Sequence, residues 1–200
     1  MFKWLVVILI VITLSITAIF FLKPQKPDAV SSATVVSLKK VQMPKKSKDY
    51  EAFQVDGLMK IMVSYSDDFA RGGMIETVEG MEALKKEGIK TIVSIVPTPE
   101  EKAMAKQFGI KLVNLPFSNE VLAPEDLAVF KSVLEKKEPI YVHCHGGTHR
   151  AGVLGMYYRL WSGWKYERAL KEFVALGGFP FKDKPLLDVI QKDEVNHGIK

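Results

Sequence analysis

Cys144 stands in the run His143-Cys144-His145-Gly146-Gly147-Thr148-His149-Arg150 and is the only cysteine among 200 residues. With no second cysteine, no disulfide within the chain is open to it. Its neighbours decide whether it is a small buried hydrophobe or a nucleophile. They meet the requirements of sulfur attack on a phosphate ester. The sulfur has to be a thiolate, although a free cysteine ionises near pH ~8.5, and backbone N–H groups, a helix N-terminus and a nearby cation all favour that form. The phosphate needs inward-pointing donors and a fixed cation. Gly146 and Gly147 let a short loop curl so that successive N–H groups face one anion. Arg150 offers a planar fork for two phosphate oxygens. The five residues between Cys144 and Arg150 form a loop that wraps one phosphate.

The flanking segments supply the required frame. Ile140 to His143 (IYVH) is a very short apolar strand, and Ala151 to Trp161 reads as a helix whose positive end faces the loop. A cysteine followed six places on by an arginine is a weak signal alone. With the strand before it, Gly147 at the third loop position and the helix after it, the pattern is specific.

The rest of the chain alternates between strand and helix patterns. Glu76 to Glu87 carries Val78, Met81 and Leu84 on one helical face, with Gly88 as a stop. Thr91 to Val96 is a β-branched run closed by Pro97. In Thr98-Pro99-Glu100-Glu101 the threonine caps a helix, the proline suits its first turn and Glu101 completes a capping box. Lys111 to Phe117 is a strand, Pro124 opens a helix, Tyr166 to Leu176 is another, and a last short helix starts at Lys184. Strands separated by helices predict an α/β fold with a central, mostly parallel sheet covered on both faces. Ligands bind beyond the carboxyl ends of such strands, which is where the Cys144 loop leaves IYVH.

Leu5 to Leu22 has 18 residues and no charge, flanked by Lys3 and Lys23. At about 1.5 Å per residue it spans most of a hydrocarbon core roughly 30 Å thick. Residues 1–22 are therefore expected to be an uncleaved single-pass transmembrane anchor, with a cleaved signal peptide as the rival. Charges on both flanks leave the side of the catalytic domain open, with a slight lean to export. Residues 23–54, with Pro24, Pro27, Pro44 and scattered lysines, read as a basic flexible linker that is either drawn to anionic lipid or simply solvated. The catalytic domain is expected over 55–200. The net charge is +5, but no basic segment has the aromatic interleaving of a nucleic-acid surface, so no nucleic-acid partner is expected.

The chain resembles the cysteine-dependent protein tyrosine phosphatase superfamily, whose signature His-Cys-x-x-Gly-x-x-Arg is matched at His143, Cys144, Gly147 and Arg150. Phe69-Ala70-Arg71-Gly72-Gly73, and the stretch from Glu82 to Val93, are similar to the opening of compact bacterial dual-specificity members. The likeness covers residues 55 to 180. It implies a two-step reaction through a phosphocysteine, without metal or other cofactor. It implies Cys144 as nucleophile and Arg150 as phosphate ligand. The amides of His145, Gly146, Gly147, Thr148, His149 and Arg150 are then the phosphate cradle, with His143 in support.

Two departures from that family bear on turnover. Ala151 stands where the family usually has Ser or Thr to help expel the thiolate. The family's general-acid aspartate belongs in the stretch Pro116-Phe117-Ser118-Asn119-Glu120, which has none. Glu120 is the expected substitute and Asp126, in a first helical turn, is better placed for capping. His145 and His149 either add positive charge toward a highly phosphorylated substrate or are solvated. Arg71 is expected in a structural ion pair rather than on the substrate. The histidines lack metal-ligand spacing with carboxylates, so no metal is expected.

The leading expectation is a phosphatase for phosphotyrosine or mixed phosphoprotein substrates. The alternatives are an inositol phosphate or phosphoinositide phosphatase and a low-turnover phosphate-binding pseudophosphatase. A rhodanese-like sulfurtransferase shares the strand–loop–helix cysteine but not the histidine, glycine and arginine pattern.

Overall fold

The computed structural model describes residues 39–40 and 47–197. The chain divides into two units, Met1–Val35 and Val36–Lys200, and all described residues belong to the second. The predicted anchor at Leu5 to Leu22 lies outside them. Among the described residues no helix is long and apolar enough to cross a membrane.

Seven described strands form one sheet in the order β1-β2-β3-β4-β7-β5-β6. They are β1 (Lys39–Lys40), β2 (Glu51–Gln54), β3 (Ile61–Ser64), β4 (Phe69–Gly72), β5 (Thr91–Ser94), β6 (Lys111–Asn114) and β7 (Ile140–His143). Strands β4, β7, β5 and β6 are parallel, whereas β1 to β4 pair antiparallel. The sheet is thus mixed rather than mostly parallel. Short links join β2 to β3 and β3 to β4, and a link that short only reverses the chain, whereas a parallel neighbour needs a long crossover. The sheet also begins before residue 55, because β1 and β2 fall inside the segment read as linker. Glu51–Gln54 has only four residues and buries Ala52 alone among them, too little alternation to register as a strand.

Six described helices complete the domain: α1 (Val78–Lys86), α2 (Pro99–Phe108), α3 (Pro124–Leu134), α4 (Arg150–Trp161), α5 (Tyr166–Ala175) and α6 (Lys184–His197). They cover both sheet faces, as expected. Alternation along the strands separates two apolar cores. Ile92, Ala70 and Tyr141 pack with Met81 and Leu84 of α1 and Ala105 of α2. Val93, Ile140 and Val142 face the other way, against Phe130 of α3, Leu154 of α4, Phe173 of α5 and Ile190 of α6. Each fully buried Leu, Ile or Phe contributes on the order of 1.5–3 kcal/mol.

The caps follow the sequence. Thr98 Oγ1 accepts the Glu101 N–H at 3.1 Å and Pro99 occupies the first turn of α2, while Gly109 at φ +64° ends it. Asp126 Oδ2 accepts the N–H of Ala123 at 3.2 Å, the capping role foreseen for it. Helix α4 is apolar nearly all round, with nine of its residues from Ala151 to Leu160 buried. A helix packed on every side is a rigid mount for its first residue, Arg150.

Candidate active site

Strand β7 is buried along its whole length and lies between β4 and β5, with His143 in register with Gly72 and Ser94. Cys144 follows at once, 3% exposed, as a free thiol. The loop after it runs into α4, whose helical N–H groups begin at Arg150. Strand, loop and helix therefore follow one another around Cys144 in the order the sequence implied.

Several contacts fix the loop. Met74 N–H donates to the His145 carbonyl at 3.0 Å, and Ile95 N–H donates to the His143 carbonyl at 2.9 Å. Gly147 takes φ +74°, and a side chain there would place its Cβ 2.3 Å from the Gly72 carbonyl carbon. Only glycine fits, on both counts. Tyr141 donates its hydroxyl to Gly73 O at 2.7 Å. Burial first, then the proximity of Cys144, pushes Tyr141 far above its ordinary value, so it remains a donor.

His143 is 1% exposed. Its Nε2 donates to Glu101 Oε1 at 2.6 Å, and its Nδ1 lies 3.4 Å from the Cys144 carbonyl oxygen. Ser94 Oγ donates to the other carboxylate oxygen of Glu101 at 2.8 Å. Glu101 was expected to close a capping box. Its backbone does join Thr98, but its carboxylate turns inward to His143 and Ser94. A buried carboxylate needs strong donors, and a buried imidazole and hydroxyl are stronger claims than a partly solvated backbone N–H.

Arg71 also departs from expectation. It is 2% exposed and forms no ion pair within the described residues. Its Nε donates to Tyr65 Oη at 2.6 Å, and its Nη1 donates to the Gly147 carbonyl. It grips the loop between Cys144 and Arg150 through the Gly147 carbonyl. Burial raises Tyr65 above its ordinary value, with the Arg71 charge opposing.

His149 is held by a second hidden carboxylate. Its Nδ1 donates to Asp183 Oδ2 at 2.7 Å, and Phe179 N–H donates to the same oxygen at 3.2 Å. Asp183 is fully buried, so His149 is fixed to the segment between α5 and α6 rather than freely solvated. His145 is exposed, and Gly146 and Thr148 are half-buried.

Arg150 is half-buried, and its Nη1 donates to the Phe117 carbonyl at 3.1 Å. That bond brings the loop after β6 against the cradle. Glu120 lies three residues further along the loop and is exposed. Its N–H donates to Ser118 Oγ at 3.1 Å, and Val121 N–H donates to the same oxygen at 2.9 Å. The structure therefore places Glu120 on the loop next to Arg150, with its backbone, not its carboxylate, engaged.

The arrangement defines a class: a mixed α/β sheet with a cysteine loop opening onto a helix. Residues 39–179 match the family described as "DSP-PTPase phosphatase fused to NAD+ Kinase". The chain belongs to that family, and so to the cysteine-dependent tyrosine and dual-specificity phosphatase superfamily. The bovine protein tyrosine phosphatase type IVA 3 is 34% identical over 98 residues, covering 46% of this chain and 57% of that protein. The chain thus spans little more than half of that relative's length. Among solved structures, TpbA of P. aeruginosa is 20% identical with a TM-score of 0.63, covering 78% of this chain and 99% of TpbA. PTPMT1 is 15% identical with a TM-score of 0.53, covering 68% of this chain and 97% of its own. Both likenesses are of fold.

Proposed function

We infer that the chain is a phosphatase that hydrolyses phosphate monoesters, phosphotyrosine or mixed phosphoprotein substrates, through a phosphocysteine. The observation that carries this reading is Cys144 at the end of β7, one curled loop away from Arg150 at the start of α4. The bovine relative is named a protein tyrosine phosphatase, and TpbA has been solved in complex with pTyr. Both support the tyrosyl reading.

In this reaction the Cys144 thiolate attacks phosphorus, the S–P bond forms and the P–O bond to the leaving group breaks. The loop amides and the Arg150 fork stabilise the charge on the three non-bridging oxygens. Glu120, in its acid form, gives its proton to the leaving oxygen. Water then attacks the phosphocysteine, giving a proton to the Glu120 carboxylate left by the first step; the P–O bond forms, the S–P bond breaks, and phosphate and the thiolate are released. Ala151, having no hydroxyl, gives this second step no help. That deficit, with the exposed position of Glu120, favours a second reading as a slow phosphate-binding module. Inositol phosphates or phosphoinositides are the alternative substrates. The segment of residues 1–22 is proposed as the membrane anchor, by its uncharged run alone.

The test is turnover of aryl phosphates, phosphopeptides, phosphoinositides and inositol phosphates by the full chain. Wild type should hydrolyse an aryl phosphate, and Cys144→Ser should lose at least a hundredfold, about 2.7 kcal/mol of barrier, while still binding vanadate. Vanadate bound tightly by a wild type that turns over none of the panel would establish the binding module instead.

A further inference from the structure

Gly146 and Gly147 are adjacent in the cradle, but the space beside each is filled differently. Beside Gly147 lies backbone of Gly72 and Gly73. Beside Gly146 lies one side chain: Lys60, whose Nζ is 3.2 Å, Cε 3.6 Å and Cδ 3.9 Å from where a Cβ would stand. The end of Lys60 thus lies along the second residue of the phosphate loop, with its ammonium at the rim.

The backbone that presents it is firmly held. Met59 N–H donates to the Met74 carbonyl at 2.9 Å, and Met74 N–H donates to the His145 carbonyl at 3.0 Å. A Cβ on Gly73 would fall 1.7 Å from the Met59 carbonyl oxygen, so the two segments are in close apposition. The turn carrying Lys60 is therefore tied through Met74 to the loop itself. Lys60 takes φ +62°, one of two described non-glycine residues with positive φ. That backbone is strained for a long side chain, and strain of this kind collects at functional sites.

Lys60 is exposed and, among the described residues, has no carboxylate or other hydrogen-bond partner. A lysine on an ordinary surface finds a cheap partner or extends into water. This one lies against the cradle with its charge unspent. The scissile phosphate is already matched by the loop amides and Arg150. The cation beyond them, on the Gly146 side, is matched by nothing among the described residues.

We propose that Lys60 is a specificity-determining residue that binds a second anionic group of the substrate, next to the phosphate held by the loop. The preferred ester then carries either a second phosphate or a neighbouring carboxylate. This rests on the reading of the loop as a phosphate-ester site. A charge-assisted contact of this kind strengthens binding about tenfold, and salt weakens it.

The test uses matched ligands and equilibrium binding to the full-length Cys144→Ser protein. One pair is a phosphotyrosyl peptide with Asp beside the phosphotyrosine against the same peptide with Asn. The other is an inositol bisphosphate against the corresponding monophosphate. In at least one pair the more anionic ligand should bind more tightly. Adding Lys60→Gln should reduce that preference about tenfold, and Lys60→Arg should keep it. Lys60→Gly removes the charge while relaxing the backbone, and should match Lys60→Gln. The pair that responds identifies the source of the anion. If neither preference moves on Lys60→Gln or Lys60→Gly, the proposal is wrong. Binding decides this without turnover. Hydrolysis of phenyl phosphate by wild type but not by Cys144→Ser is the separate check on the phosphatase reading.

Discussion

The carboxylate of Glu101 sits 2.6 Å from Nε2 of His143, with both side chains shut off from solvent. This contact crosses from α2 to the end of β7 and stands directly behind the cysteine. Removing one partner of a buried pair costs about 3–5 kcal/mol, because the other is left charged or polar without a match. Glu101→Ala should lower the unfolding free energy by that amount, read as a lower urea midpoint at an unchanged slope. Glu101→Gln keeps one acceptor and should cost less, about 1–3 kcal/mol. An alanine variant within about 0.5 kcal/mol of wild type would show the contact to be incidental.

Gly147 and Gly88 separate strain from collision. Both have positive φ, +74° and +82°, but a Cβ at Gly88 meets nothing within 4 Å, whereas at Gly147 it meets the backbone of Gly72. Gly88→Ala should cost only the left-handed backbone term, about 1–2 kcal/mol. Gly147→Ala adds overpacking of about 1–3 kcal/mol and should abolish vanadate binding. Thermal unfolding with a vanadate titration reads both. Equal costs at the two sites, with vanadate binding kept, would contradict the close approach of the loop to β4.

Glu120 is proposed as the acid although its carboxylate is engaged by no described residue. A positioned carboxylic acid contributes about 10²–10⁴-fold when the leaving group is a strong base. Glu120→Gln should therefore slow an alkyl or unactivated aryl phosphate far more than a nitrophenyl ester, and flatten the basic limb of the pH–rate profile. Small, equal losses on both substrates would remove Glu120 from the mechanism. Asp126 already caps α3 through Ala123, so Asp126→Asn should lower stability by about 1 kcal/mol and leave leaving-group dependence alone.

Arg150 differs from a simple positive charge. It is planar, it heads a helix with nine of its twelve residues buried, and Phe117 O orients it from the loop after β6. Arg150→Lys should lose most of the vanadate affinity along with turnover, since an ammonium cannot bridge two oxygens. Retention of wild-type affinity by the lysine variant would mean that charge alone suffices.

What the sequence reveals here is what neighbours along the chain produce. Ile140–His143, the loop and the helix from Arg150 are contiguous, so the cradle is legible from one run of residues. The same holds for the caps at Thr98 and Asp126. The partners that topology delivers are not legible. Glu101 looks like a capping residue because its spacing from Thr98 is right, and only the packing of α2 on the sheet brings it to His143. Arg71, Asp183 and Lys60 are 76, 34 and 86 residues from the loop positions they touch. No local pattern signals such contacts. The short antiparallel strands before Phe69 are hidden for a different reason. β1 and β2 hold two and four residues and carry no apolar run, and β3, although it opens with Ile61-Met62-Val63, has only four residues, too few to show a period.

The central claim is that a phosphoryl group passes through the sulfur of Cys144. It is tested most directly by mixing the full-length protein with an aryl phosphate, quenching in acid within the first turnover and mapping the modified peptide by mass spectrometry. One phosphoryl group should appear on Cys144 and be absent from Cys144→Ser, and Ala151 should let it accumulate by leaving the second step unassisted. Phosphate release at the wild-type rate by Cys144→Ser, or a phosphoryl group trapped on any other residue, would contradict the account.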